Sequence, residues 1–169
     1  AVELGFEIVG PKLSKFIIEC KKIAKQLNIK IYCARGGMRS ESFAWLLKTA
    51  GFNTVLRLEK GYKSYRNYVL DFFNKDYKLE VLSGMTGSGK TDILLEMEKL
   101  DMQIIDLEGF ANHRGSAFGG IGRIPLDSNE MYENLIFDKM SNFNLNKIIW
   151  IEDESRNVGK VLVPPPIYQ

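Results

Sequence analysis

Apolar residues recur every three or four positions at Leu13, Phe16, Ile17, Cys20, Ile23, Ala24 and Leu27. That spacing predicts one amphipathic helix over Pro11 to Leu27, with Pro11 suited to its first turn because the missing amide would be unpaired there anyway. The pattern then changes. Ile29 to Tyr32 is a short β-branched and aromatic run entering a loop, after which Ser40 can cap a helix ending near Gly51. Thr54 to Leu58 reads as a further strand, and Tyr62 to Phe73 as a helix carrying Tyr65, Val69, Phe72 and Phe73. A polar joint, Asn74 to Lys78, follows.

The second half repeats the alternation. A strand at Leu79 to Leu82 leads into a Gly-rich loop and a helix to about Leu100, then a strand at Gln103 to Asp106 and a long glycine-rich stretch to Arg123. A helix from Asn129 to Met140 and an apolar strand from Ile148 to Ile151 complete it. Strands alternating with helices predict an α/β fold with parallel sheets covered on both faces. No internal repeat or low-complexity segment interrupts the pattern.

Composition narrows the class. Of 169 residues, 45% are hydrophobic, and 23 basic side chains stand against 21 acidic ones, which describes a globular chain with material for a core and argues against disorder. A net charge of +2 is too small to imply nucleic-acid binding by itself, so DNA is not expected and any RNA partner has to be argued from local clusters. Only two cysteines, Cys20 and Cys33, occur, without a signal-peptide pattern or an apolar run long enough to span a bilayer. The expectation is a cytoplasmic protein with reduced thiols and no membrane partner.

Two loops carry chemistry. Cys33-Ala-Arg-Gly-Gly-Met-Arg39-Ser40 lies between a predicted strand and a predicted helix. A loop that ends at a helix N-terminus turns successive backbone amides inward, and the helix dipole adds partial positive charge. Cys33 at its bottom would have a depressed thiol pKa, helped by Arg35 and Arg39, and act as a thiolate nucleophile near neutral pH. Gly36 and Gly37 permit the positive-φ backbone such a cradle requires. The same cysteine-to-arginine spacing also fits a cysteine-dependent phosphatase, although Tyr32 stands where that class usually has histidine; an inert, buried strand-end cysteine is the plain alternative. Cys20 fits the apolar stripe of its helix and is expected to be structural.

Gly84-Met-Thr-Gly-Ser-Gly89-Lys90-Thr91 matches the P-loop pattern without a mismatch, after a strand and before a helix. The amides of Gly87, Ser88, Gly89 and Lys90 would wrap a diphosphate, the Lys90 ammonium would neutralise it, and Thr91 would ligate Mg²⁺. Glu152, Asp153 and Glu154, directly after the apolar strand, offer carboxylates for that ion, with Asp153 the primary candidate and Asp106 a second. A solvated acidic strand end explains the same residues. His113, the only histidine, and Arg114 lie in the glycine-rich stretch; alone, such a histidine is more often a hydrogen-bonded loop residue than a catalyst. Arg57, Lys60, Lys63 and Arg66 interleave with Tyr62, Tyr65 and Tyr68, which fits either phosphate and base contacts with RNA or a solvated helix whose tyrosines pack on the sheet.

Taken together, Tyr32 to Ser40, Gly61-Tyr-Lys-Ser-Tyr-Arg66, Gly84 to Thr91, Asp106 to Gly119 and Ile151 to Arg156 resemble, in order, the segments of tRNA 2-selenouridine synthases. The resemblance implies a partial rhodanese-like parallel sheet over residues 1–75, N-terminally truncated, followed by a partial P-loop NTPase-like parallel sheet over 76–169, C-terminally truncated. It also implies a transferase that exchanges sulfur for selenium in a wobble 2-thiouridine of tRNA, with selenophosphate and geranyl diphosphate as co-substrates and a selenophosphate supply enzyme as a further candidate partner. Cys33 would then be the catalytic cysteine, and Gly84 to Thr91 the diphosphate site. The chain departs from the family at Lys60, where a second glycine usually precedes Gly61. A sulfurtransferase or phosphatase fused to a nucleotide-binding module, and a non-enzymatic P-loop or tRNA-binding module, are the competing expectations.

Overall fold

The computed structural model describes residues 2–85, 87–116, 119–124, 126 and 128–168, without the side chains of Val2 and Phe6. Thr86 of the phosphate loop, and Ala117 and Phe118 of the glycine-rich stretch, lie outside the described residues. The chain divides into two compact units, one ending at Tyr68 and one beginning at Val69.

The first unit opens with helix α1 (Val2–Val9), a short 3-10 turn (Gly10–Lys12) and helix α2 (Leu13–Ile23). The single helix expected over Pro11 to Leu27 is therefore shorter. Pro11 is the second residue of the 3-10 turn, and Ala24 turns to extended backbone at the other end. Gln26 and Leu27 then adopt positive φ, which no α-helix accommodates. Strand β1 (Asn28–Ile31) pairs in parallel with β2 (Thr54–Arg57), and α3 (Met38–Thr49) makes the crossover between them. Cys20, Leu47 and Phe52 form the core, with Ile17, Leu27, Ile29, Ile31, Phe43 and Val55 packed against it. The expected two-sided burial is absent from this sheet: Asn28, Lys30, Thr54 and Leu56 are exposed while Ile29, Ile31 and Val55 turn inward, the alternation of a one-sided sheet.

Helix α4 (Gly61–Phe73) begins in the first unit and ends in the second, where Val69, Phe72 and Phe73 are buried and Phe72 meets Phe137 edge-on at 5.0 Å between ring centroids. The second unit contains β3 (Leu79–Leu82), α5 (Lys90–Lys99), β4 (Gln103–Ile105), α6 (Leu107–Ala111), α7 (Asn129–Ser141) and β5 (Ile149–Glu152). Its three strands are parallel in the order β3, β5, β4, so the last in sequence is central. β5 is buried along most of its length, as expected for a strand covered on both faces. Leu94, Ile104, Ile105, Ile136, Met140, Ile149 and Ile151 make the core around it. A small antiparallel hairpin, β6 (Asn157–Val158) with β7 (Val161–Leu162), follows. Because the three strands run the same way, their C-terminal ends share one edge, where α/β proteins gather binding loops.

Candidate functional site

Three loops leave that edge: Gly84 to Gly89 after β3, Asp106 to Glu108 after β4, and Asp153 to Ser155 after β5. Around them lies a cavity of about 1090 Å³ whose walls include Gly87, Ser88, Lys90, Thr91, His113 and Arg114. Gly87 and Gly89 hold φ of 81° and 83°, left-handed conformations that let the loop arch over before α5 begins at Lys90. The Lys90 ammonium folds back onto the Gly84 carbonyl at 3.0 Å, inside the arch. The phosphate-binding residues foreseen in the sequence thus come together, Thr86 aside.

The acidic side of the site differs from expectation. Thr91 donates to a Glu152 carboxylate oxygen at 3.0 Å and lies 3.3 Å from one of Glu108. The Glu108 amide donates to the other Glu152 oxygen at 3.0 Å. Among the described residues, Glu108, Glu152 and Glu154 form a group able to hold a metal, with ligand oxygens within 4.8 Å of one another. Asp153, the primary sequence candidate, instead accepts the Ser83 hydroxyl at 2.7 Å and ties the end of β5 to the end of β3. Glu152, the last residue of β5, is buried, whereas Asp153 follows the strand, is exposed and lines the cavity. Asp106 caps α6 by accepting the Gly109 amide at 2.7 Å, while also lining the cavity.

Burial raises Glu152 to about 7, with Asp106 and Glu108 pushing in the same direction and the Glu108 amide and the Thr91 hydroxyl opposing them. Glu108 and Glu154 are also raised, first by burial and then by a neighbouring carboxylate. Gly115 sits on this group with φ of 59°; a β-carbon there would lie 2.2 Å from a Glu108 oxygen and 2.8 Å from one of Glu154. His113 is fixed by its amide, 3.0 Å from the Glu108 carbonyl, and its buried Nδ1 has no hydrogen-bond partner among the described residues. Sequence reasoning gave Glu108 no role. It lies just inside a five-residue helix too short to show periodicity.

In the first unit, the cysteine loop runs from β1 to α3. Gly37, not Ser40, occupies the cap position, and Ser40 falls in the first turn, buried, donating to the Gly37 carbonyl at 3.0 Å. Its hydroxyl lies 3.3 Å from Cys33 Sγ. Cys33 is thereby lowered to about 7, first by the Ser40 side chain, with the amides of Arg35, Ser40 and Gly37 adding to the effect against some desolvation. The expected arginine contribution is replaced by a hydroxyl. Arg35 and Arg39 are exposed, and Arg39 lines an apolar groove with Phe16 and Trp45. The arginine that does grip the loop is Arg57, which donates to the Gly36 carbonyl at 2.6 Å and pairs with Glu41 at 3.2 Å. Gly36 and Gly61, both at φ 66°, touch backbone to backbone: a β-carbon on Gly61 would lie 2.3 Å from the Gly36 nitrogen. Cys20 is buried and its thiol is pushed up by burial.

Comparison with known proteins identifies the family. Residues 77–169 match the family model described as the tRNA 2-selenouridine synthase AAA domain. Proteins named tRNA 2-selenouridine synthase align over 99% of this chain, at 34% identity in Shewanella sediminis (46% of that protein), 34% in Nitrosomonas europaea (45%) and 39% in Shewanella oneidensis (45%). The chain thus spans about half the length of the curated relatives it matches. No solved structure matches it. With a family model covering more than half of its residues, this chain belongs to the tRNA 2-selenouridine synthase family.

Proposed function

We propose that the chain forms part of a tRNA-modifying transferase that replaces sulfur by selenium at C2 of a wobble 2-thiouridine, drawing selenium from selenophosphate. In this reading, residues 1–75 are a rhodanese-like domain serving the selenium step and residues 76–169 a P-loop domain serving an activating step. The thiocarbonyl sulfur attacks the allylic carbon of geranyl diphosphate, and diphosphate departs into the arch formed by Gly87, Ser88, Gly89 and Lys90. The geranyl thioether is a better leaving group than the sulfur it replaces, so the selenium of selenophosphate can add at C2 and expel the geranyl thiolate, after which water cleaves the Se–P bond and releases phosphate. The enzyme acts in the cytoplasm beside a selenophosphate supply enzyme, on tRNA and not on DNA or a membrane surface. Among the described residues, no helix is long and apolar enough to cross a membrane.

Mg²⁺ fits the donor set, because Thr91, Glu108, Glu152 and Glu154 converge hard oxygens whose mutual repulsion a divalent ion would relieve. When bound, it supplies positive charge to the departing diphosphate. Thr91 and Glu152 would hold the ion, Lys90 would take the outer phosphate oxygens, and Gly115 would keep the loop carrying His113 and Arg114 against the carboxylates. Cys33, Arg35 and Arg39 remain the candidate groups of the selenium step, with the thiol beside the Ser40 hydroxyl.

The observation that carries this reading is the placement of Cys33 in a loop between a strand and a helix N-terminus, with its Sγ 3.3 Å from the Ser40 hydroxyl, because a selenium- or sulfur-transfer loop needs a thiolate held by hydrogen-bond donors. Nucleoside mass spectrometry of tRNA tests it. Cells carrying the gene should contain 2-selenouridine, and cells lacking it, or carrying Cys33→Ser, should not; unchanged selenouridine without the gene would end the proposal.

A further inference from the structure

Next to Cys33 the structure builds an aromatic ladder. The Tyr32 ring stacks on Tyr62 at 5.9 Å between centroids and 30° between planes, and Tyr62 continues to Tyr65 at 5.7 Å. The ladder is fastened to the cysteine loop by backbone: the Tyr62 amide donates to the Cys33 carbonyl at 2.9 Å and the Lys63 amide to the Ala34 carbonyl at 3.0 Å. Tyr62 and Tyr65 are half-buried, whereas Tyr32 at the end of the stack is 65% exposed. Among the described residues the Tyr32 ring has Tyr62 against it, and its exposed part offers a π-face on which a planar group can stack. Around it, Arg35, Lys60 and Lys63 are exposed cations, against Glu59 as the exposed acid of the same turn, while Glu41 is engaged by Arg57.

An exposed ring with basic groups on its flanks is the arrangement that receives an unpaired nucleobase, since every base has a π-face and each phosphate beside it needs a cation. We propose that Tyr32, backed by Tyr62, is the stacking platform for the uridine base whose C2 substituent is exchanged, and that Lys63 and Arg35 hold the phosphates flanking that nucleotide. Tyr32 is a positioning residue: it orients the base one peptide away from Cys33 and takes no part in bond making. The inference rests on the tRNA reading above and adds to it the surface that recognises the base.

The test uses this chain and two short single-stranded RNAs, one with 2-thiouridine at its centre and one with an abasic site there, each titrated by fluorescence polarisation. The native chain should prefer the thiouridine strand by about 5- to 150-fold, the span of base–aromatic stacking. Tyr32→Ala should abolish most of that preference and Tyr32→Phe should keep it, with the alkylation rate of Cys33 unchanged in both as a check on the loop. If the native chain shows the preference and Tyr32→Ala retains it, the platform is wrong while the tRNA reading stands. Failure of the native chain to bind either strand, or to distinguish them, would overturn the platform, while the tRNA reading stands or falls on the nucleoside analysis above.

Discussion

The Thr91 hydroxyl stands 3.0 Å from a Glu152 oxygen, which joins the first turn of the helix after the phosphate loop to the central strand of the sheet. Glu152 is 1% exposed, and two further carboxylates crowd it. The result is a buried carboxyl group held near the end of a strand by a hydroxyl and one amide, whose charged form a neighbouring cation would favour.

This relationship makes stability depend on pH in a definite direction. Glu152 is raised from 4.5 to about 7 by burial, so the folded state binds its proton more tightly than the unfolded chain does. The stabilisation by the neutral form is complete below the unfolded value and disappears as pH rises through about 7. Glu108 and Glu154 are raised as well and act in the same direction. We expect the second unit to lose roughly 1–2 kcal/mol between pH 4.5 and 8, less than the full shift implies because water reaches the carboxylates from the cavity. Urea midpoints should fall across that window, flatten in Glu152→Gln, and recover at pH 8 on adding Mg²⁺.

Cys33 should react with an alkylating reagent along a titration centred near pH 7, and Cys20 should lag far behind because it is buried and its thiol is raised. Ser40→Ala removes the largest cause of the depression and should move the Cys33 profile toward the ordinary thiol range. On ionisation the Ser40 hydroxyl turns from the Gly37 carbonyl to the sulfur, and that carbonyl still accepts the Ser40 amide at 3.1 Å. Equal rates for the two cysteines would remove the activated thiolate. The readout is peptide mass spectrometry of each cysteine against time.

Gly61→Ala should destabilise the cysteine loop by at least about 2 kcal/mol, because the new methyl would lie 2.1 Å from the Cys33 carbonyl on a backbone that already disfavours a side chain. The residue before it behaves in the opposite sense. Lys60 is forced to φ 56°, so Lys60→Gly should stabilise the first unit by about 0.5–1 kcal/mol. Denaturation of the two variants against the native chain checks both signs.

Much of this fold was legible along the chain where the signal is local. β3 follows the run Leu79 to Leu82 residue for residue, and the glycine-rich loop before α5 was legible because its glycines and lysine stand at the fixed spacing of the P-loop pattern. What escaped depended on contacts between distant segments. Glu108 joins Glu152 across 44 residues of sequence, and no periodicity in a five-residue helix announces it. Asp106 ends a strand and lines the cavity, as its position suggests, and the cap that one of its oxygens provides for the Gly109 amide was not read from the sequence. Ser40 resembled a cap, and its hydroxyl does bind a backbone group, but one turn into the helix, where it can also reach Cys33. Arg57 lies 21 residues from the carbonyl it grips and was read only as part of a basic stripe.

The central claim is that the arch between β3 and α5 gathers amides and the Lys90 ammonium around a diphosphate. Calorimetric titration of the chain with inorganic pyrophosphate, with and without Mg²⁺, tests it most directly. We expect binding that Mg²⁺ strengthens and that Lys90→Ala weakens by about 1.5–3 kcal/mol, roughly 10- to 150-fold in Kd. Equal heats and equal Kd in the native chain and Lys90→Ala would contradict it.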